Sequence, residues 1–291
     1  MTTSAPLIVL TGVTGKLGGL VLDLLLKTLP PSSIGVSVRD PSKATHLAQQ
    51  GIRVRQGSYD DPTSLAESFA GADTILLVSS NDRSGKGESH HRTVIDAAKS
   101  AGVRCIYYTS HQAASPTCAF WPMRVHYATE GMLAESGMEY VSLRNGFYMD
   151  SINMFIRGVQ HTGVISVPKD GKVSWTAHED LAMATAELML RPRIEQGRRE
   201  IITLAAGEAL DMADVAKAYG EAKGKEIKRE MKEAEEWKTG AVAGGVPEGM
   251  ADMLLGFYEA SRQGDFLSED GTLGELIEGK TISVKEMFEK H

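Results

Sequence analysis

The strongest constraint on this chain is the alternation in its first half, where short apolar runs are followed by stretches of helical spacing. Leu7 to Thr11 is almost unbroken apolar, as a strand buried on both faces requires. From Leu17 to Lys27, the residues Leu17, Leu20, Val21, Leu24 and Leu25 fall on one helical face, and Pro30-Pro31 ends the helix. Ile34 to Arg39 reads as a second strand. Asp40-Pro41-Ser42 then opens a helix to Gln50, with Asp40 or Ser42 as N-cap and Gly51 as terminator. Strands over Ile52–Gln56, Thr74–Val78, Cys105–Thr109 and Tyr140–Leu143 continue the series. Helices from Asp61-Pro62 to Gly71, from Glu88 to Ala101 and from Val125 to Ser136 separate them. The stretch holding Pro116 and Pro122 reads as irregular. Such an alternation implies an α/β fold with a doubly wound parallel sheet. Right-handed crossovers place its ligand at the carboxyl ends of the strands.

Beyond Arg144 the rhythm weakens. Helical segments dominate, with candidate strands at Lys172–Trp175 and Glu200–Leu204. The alternating Lys and Glu of Lys223–Lys238 read as a solvated helix face. Gly244-Gly245-Val246-Pro247 breaks a helical region. Composition narrows the function classes. Lys and Arg total 31 against 38 Asp and Glu, a net charge of −7, which disfavours a broad nucleic-acid surface. The two cysteines, Cys105 and Cys118, form no CxxC pair and favour a reduced, cytoplasmic setting. No apolar run is long enough to span or anchor in a membrane.

Thr11-Gly12-Val13-Thr14-Gly15-Lys16-Leu17-Gly18 joins the first strand to the first helix. Gly12 permits the tight turn off the strand. Gly15 lets a pyrophosphate approach the backbone, and Gly18 lets the helix pack close to the sheet. The helix N-terminus offers free N–H groups and a partial positive charge to the phosphate, with Thr14, Lys16 and Leu17 around it. Position 17 is Leu rather than Ser or Thr, so this is no Walker A loop. Arg39 stands 21 positions after Gly18, at the end of the second strand, with Lys43 one turn further on. An acidic residue there would bind the ribose 2′-hydroxyl of NAD; two cations suit the 2′-phosphate of NADP. Other strand ends contribute by position: Tyr59-Asp60 beside the adenine, Ser79-Ser80-Asn81 along the pyrophosphate and ribose, and Thr109-Ser110 near the nicotinamide.

Together these residues resemble the atypical short-chain dehydrogenase/reductases with an NAD(P)-binding Rossmann fold. More narrowly they resemble the NmrA-like group, which includes bacterial NADPH:quinone oxidoreductases. The matching stretches are Thr11–Gly18, Val38–Lys43, His91-Arg92, Tyr108-Thr109-Ser110 and Leu143-Arg144-Asn145-Gly146-Phe147-Tyr148. Asp180-Leu181-Ala182 and Val246–Leu254 extend the match along nearly the whole chain. The resemblance implies an NADP(H)-binding domain over 1–150 and a smaller, mainly helical substrate lobe over 151–291. A segment near 171–182 returns to the first domain. It also places Asn145, Gly146 and Phe147 near the nicotinamide. Reductases of this superfamily often carry Tyr-x-x-x-Lys after the fifth strand, and NmrA-like ones often keep the Lys. Here the string is Tyr127-Ala128-Thr129-Glu130-Gly131, with Gly where Lys is expected. A glycine inside a helix costs about 1 kcal/mol against Ala, so its presence suggests that something fills the space.

Without that Lys, either the substrate is already activated, as a quinone or iminium is, or another group supplies the proton. The candidates are Tyr127, His126, Glu130 and His111. A third reading is a non-catalytic NADP(H) sensor acting through a protein partner. Trp121, Met123, Tyr148, Met149, Met154 and Trp175 make an aromatic and Met-rich set suited to a large, flat, apolar ligand. No metal is expected: His178-Glu179 lacks a second His at 182, and His90-His91 lacks a third ligand. The expected protein is a monomeric or homodimeric NADPH-dependent oxidoreductase. Its expected substrate is an apolar conjugated small molecule such as a quinone, imine or enone, with a role in specialised metabolism that extends to redox-coupled cyclisation.

Overall fold

The computed structural model describes residues 6–82, 84–191 and 198–290. The first half runs β1 (Ile8–Thr11), α1 (Lys16–Leu25), β2 (Ile34–Val38), α2 (Thr45–Gln49), β3 (Arg53–Gln56), α3 (Pro62–Phe69), β4 (Thr74–Leu77), α4 (Gly87–Ser100), β5 (Cys105–His111), α5 (Pro122–Ser136) and β6 (Glu139–Asn145). Then come β7 (Phe147–Tyr148), α6 (Ile152–Phe155), α7 (Val159–Thr162), β8 (Val164–Val167), β9 (Trp175–Thr176), α8 (His178–Leu190) and β10 (Arg199–Leu204). The chain finishes with α9 (Met212–Lys223), β11 (Lys228–Met231), α10 (Ala234–Ala243), α11 (Glu248–Gln263), α12 (Thr272–Leu276) and α13 (Val284–Lys290). The central sheet has the order β10-β6-β5-β4-β1-β2-β3. β1 pairs in parallel with β2 and β4, β2 with β3, and β4 with β5. The order reverses between β1 and β4, the switch point at which doubly wound sheets bind ligands.

Local chemistry accounts for the boundaries. Asp40 accepts from Ser42 N at 3.0 Å and opens a 3-10 turn over Pro41–Ala44, so the helix expected up to Gln50 is a short turn followed by α2. Asp61 accepts from Thr63 N and Ser64 N at 3.0 and 3.2 Å and caps α3, with Pro62 in the first turn. α5 starts at Pro122 rather than Val125, because proline in the first turn gives up no intrahelical bond. Three expectations about the second half change. The seventh strand of the main sheet is β10. Of Lys172–Trp175 only Trp175 enters a strand, a two-residue ladder with β7. The charged stretch Lys223–Lys238 is not one helix face, because Lys228–Met231 pairs in parallel with β8.

The chain forms two compact units: Met1–Ser110, Val125–Arg144 and Leu181–Ile202 in one, and His111–Arg124, Asn145–Asp180 and Thr203–His291 in the other. A single boundary at residue 150 does not express this, and the returning segment is 181–202 rather than 171–182. The physical reason lies in the connections. The chain leaves the first unit at the last residues of β5, β6 and β10, so each departure starts from a strand's carboxyl end. The first unit has a core built from Val9, Leu65, Phe69, Ile75, Val94, Ile106 and Tyr108. The second is centred on Phe120, Phe147, Trp175, Phe257 and Phe266. Among the described residues no helix is long and apolar enough to cross a membrane.

Candidate functional site

The glycines between β1 and α1 have separate duties. Gly12 has φ +67°, and a Cβ there would lie 2.7 Å from Val78 Cβ. Its carbonyl accepts from Gly15 N at 3.0 Å, which closes the turn. A Cβ on Gly18 would stand 2.4 Å from the Gly12 oxygen, so Gly18 admits the loop's own carbonyl rather than the sheet. Gly15 is looser: a Cβ would meet only the Gly12 oxygen, at 3.3 Å. α1 has no side-chain cap and no acidic residue in its first turn. Its leading N–H groups therefore lack a side-chain acceptor, and the helix dipole makes them an anion cradle. Thr14 and Lys16 are exposed around it, while Leu17 is buried and belongs to the core.

Arg39 and Lys43 are both exposed just beyond β2. Asp40 between them is spent on Ser42, whose hydroxyl and N–H hold the carboxyl below the usual range. It is therefore the cap anticipated above and not a ribose ligand. Arg39 forms no ion pair among the described residues. Lys43 shares a cavity of about 470 Å³ with Thr14, Val13, Leu22, His46 and Leu47, beside the glycine loop. An uncapped helix end with two cations nearby fits the phosphates of a dinucleotide.

At the other strand ends the hydroxyls turn out to be structural. Tyr59 bonds Val78 O at 2.7 Å and Thr11 Oγ1 at 2.6 Å, tying β3 to the ends of β1 and β4 beneath the glycine turn. Asp60 pairs with Lys86 at 3.0 Å and His90 at 3.2 Å. Thr109 Oγ1 accepts from Ser79 N at 2.8 Å, and Ser80 N donates to His91 Nε2 at 2.8 Å. Nδ1 of His91 lies 2.7 Å from Thr129 Oγ1, and burial pushes this imidazole down to about 3. His91 is thus a neutral bridge from the β4–α4 loop to α5, a role that only through-space partners define. Asn81 is exposed.

The proposed acids on α5 divide sharply. Glu130 is 6% exposed and accepts from Ser110 Oγ at 2.8 Å, Ser142 Oγ at 2.8 Å, and Arg144 Nε and Nη2 at 2.9 and 2.6 Å. Its carboxyl group therefore accepts four hydrogen bonds, three of them at Oε1, and Ser110 is occupied with it. His126 lies 2.8 Å from the Tyr108 hydroxyl, and burial pushes its ring down to about 4, so it is neutral at neutral pH. Tyr127 is 47% exposed. Gly131 is also exposed, and a Cβ there would meet nothing within 4 Å. No protein group of the described residues occupies the space at Gly131. Gly131→Ala should stabilise the protein by about 1 kcal/mol, read as a higher midpoint in thermal unfolding.

In the second unit the aromatic set separates into core and surface. Phe147 packs edge-on against Trp175, Phe257, Phe266 and His111, with centroids 4.9 to 5.4 Å away. Phe147, Met123, Met149 and Trp175 are buried packing residues, and the Trp175 indole donates to Leu210 O at 3.1 Å. His111 is buried among these rings, and its Nδ1 accepts from Ala113 N at 3.2 Å. Gly146 is required by packing, since a Cβ would lie 2.1 Å from Thr176 Oγ1. Trp121 and Met154 remain 41% and 40% exposed. Tyr148 is half-buried, with Asn145 Nδ2 3.5 Å from its hydroxyl, while the buried Oδ1 of Asn145 has no hydrogen-bond partner. Sequence reasoning missed one pair here: His178 Nδ1 lies 2.8 Å from Asp150 Oδ2, and its ring rests 4.4 Å from that of Tyr148. Among the described residues no cluster of three metal-ligating side chains occurs.

Known proteins match this arrangement along their length. Quinone oxidoreductase 2 of Escherichia coli (strain K12) is 34% identical over 283 residues, covering 96% of both chains. The NAD(P)H azoreductase of Xenophilus azovorans is 26% identical over 253 residues, covering 87% of this chain and 86% of its own. The crystal structure of the Escherichia coli NADPH-dependent quinone oxidoreductase complexed with NADPH superposes with a TM-score of 0.90 at 34% identity, over 98% of this chain and 99% of that one. The model of the NmrA-like family matches residues 4–278, and the chain belongs to that family.

Proposed function

We propose that the protein is an NADPH-dependent oxidoreductase that reduces an apolar, conjugated small molecule of the quinone or azo type. The observation that carries this reading is the uncapped N-terminus of α1 behind Gly12, Gly15 and Gly18, with Arg39 and Lys43 exposed at the end of β2. The helix end takes the pyrophosphate. The two cations take the 2′-phosphate, whose doubly negative charge NADH lacks. When bound, the nicotinamide supplies a hydride. The exposed Trp121 and Met154 and the half-buried Tyr148 supply apolar surface for a flat acceptor. The names of the related quinone oxidoreductase and azoreductase support the acceptor class. Imines, iminium ions and enones accept hydride by the same chemistry. A role in specialised metabolism, with ring closure coupled to the redox step, is the finer form of the proposal.

Two measurements test it. Replacing both Arg39 and Lys43 by Ala should weaken NADPH binding by at least about 100-fold and leave NADH binding nearly unchanged, because each charge-assisted contact contributes roughly 1.5–3 kcal/mol. Cofactor fluorescence titration reads both. No saturable NADPH binding to the unmodified protein would end the proposal. NADPH oxidation with any quinone, azo dye or imine would dismiss the alternative of a purely non-catalytic sensor.

A further inference from the structure

Lys43 shares its cavity of about 470 Å³ with two further titratable side chains, Asp23 of α1 and His46 of α2. The local fold puts them there. Asp40 caps the 3-10 turn Pro41–Ala44, Lys43 N donates to Asp40 O at 3.2 Å, and α2 follows directly. Lys43 and His46 are therefore three positions apart on a helical turn and line the same cavity. Thr14 brings the glycine loop to that cavity as well. Its apolar lining, Val13, Leu22, Ala44 and Leu47, is buried, whereas Thr14, Asp23, Lys43 and His46 are exposed. The His46 ring has no hydrogen-bond or ion-pair partner among the described residues.

The charges of the lining decide what the cavity can hold. Lys43 and Asp23 cancel, and no other acid or base lines it apart from His46. The sign of the cavity therefore follows one imidazole: neutral when the ring is neutral, positive when it is protonated. Imidazole is the side chain that gains this charge within the physiological pH range. The buried apolar wall on one side keeps the field of these groups from being fully screened by water.

We propose that His46 is a further group on the 2′-phosphate of NADPH and makes the preference for NADPH over NADH depend on pH, an assignment that rests on the cofactor reading above. The imidazolium donates an N–H to the phosphate beside the Lys43 ammonium, and its charge offsets Asp23, which would otherwise repel the anion. When the ring is neutral, Asp23 cancels Lys43, and Arg39 just beyond β2 is left as the uncompensated cation for the phosphate. Protonation of His46 thus strengthens NADPH binding, and affinity falls as pH rises. NADH carries no phosphate there and is insensitive to the ring.

Fluorescence titration with NADPH and with NADH across pH reads this directly. In the unmodified protein the ratio of the two affinities should fall about fivefold between about pH 6.5 and about pH 8.5. His46→Gln should abolish that fall, weakening NADPH about fivefold at the lower pH and leaving NADH within about twofold at both. His46→Lys carries its charge throughout and should keep NADPH binding tight at the higher pH. The phosphate itself takes up a proton near about pH 6, but it does so equally in every variant, so the comparison with His46→Gln removes its contribution. NMR gives a readout without turnover: NADP⁺ should move the His46 ring resonances, identified by their loss in His46→Gln, and NAD⁺ should leave them in place. If the ratio falls with pH as much in His46→Gln as in the unmodified protein, or if NADP⁺ leaves the ring resonances unmoved, this assignment is overturned while the cofactor reading stands. If the unmodified protein binds no NADPH at any pH, the cofactor reading falls and the assignment with it.

Discussion

Gly18→Val should abolish NADPH binding, weakening it at least 100-fold. A Cβ at Gly18 would sit 2.4 Å from the Gly12 oxygen and 2.7 Å from the Gly12 carbonyl carbon. Neither atom belongs to a flexible side chain, so either the turn or the helix must move. The turn has little freedom, because Gly12 is already in the left-handed region with Val78 against it. Displacing Gly12 also breaks the 3.0 Å bond from Gly15 N, so the N–H groups of α1 lose their common aim. Gly15→Ala is the informative companion. Its Cβ meets only one atom, at 3.3 Å, so the fold should survive with a nearly unchanged melting point. Affinity for NADPH should nonetheless fall about tenfold if phosphate approaches the backbone there. Thermal unfolding together with fluorescence titration separates the two variants. A Gly18→Val protein that binds NADPH normally would rule out the glycine turn as the cradle.

The second large effect is on stability. Glu130→Ala should destabilise the protein by about 3–5 kcal/mol, because removing one partner of a buried ion pair strands the other. Arg144 would keep a guanidinium only 25% exposed with no carboxylate, and the hydroxyls of Ser110 and Ser142 would lose their acceptor. For a chain of this size the melting point should drop by roughly 10 °C. Adding Arg144→Leu should recover part of the loss, since the stranded charge goes with it, and the two changes should be clearly non-additive. A Glu130→Ala protein of ordinary stability that is catalytically dead would reverse the assignment and restore Glu130 as an acid.

Glu130 also shows where a sequence stops being readable. In the string His126–Gly131 it stands near a His and a Tyr on a helix after the fifth strand, which is how a catalytic acid looks. Its partners lie 20 positions before it and 12 and 14 after it, on two different strands. No local pattern encodes that convergence. The same limit hid His91, the Asp150–His178 pair and the aromatic cluster in which Phe147 and Trp175 pack. β11 was missed for another reason. Lys228–Met231 is mostly exposed, so it carries no apolar period, and its charges mimic a solvated helix.

What the sequence determined by itself is the architecture of the first unit and the anion cradle within it. Parallel strands buried on both faces must be apolar runs, helix starts need caps such as Asp61, and a phosphate turn needs glycine at fixed offsets. These are short-range requirements, written within a few residues of where they act. Tertiary structure alone decided which polar side chains remain available for chemistry. A hydroxyl, imidazole or carboxylate is functional or structural according to what stands within about 3 Å of it. In this chain those neighbours come from elements far apart in sequence.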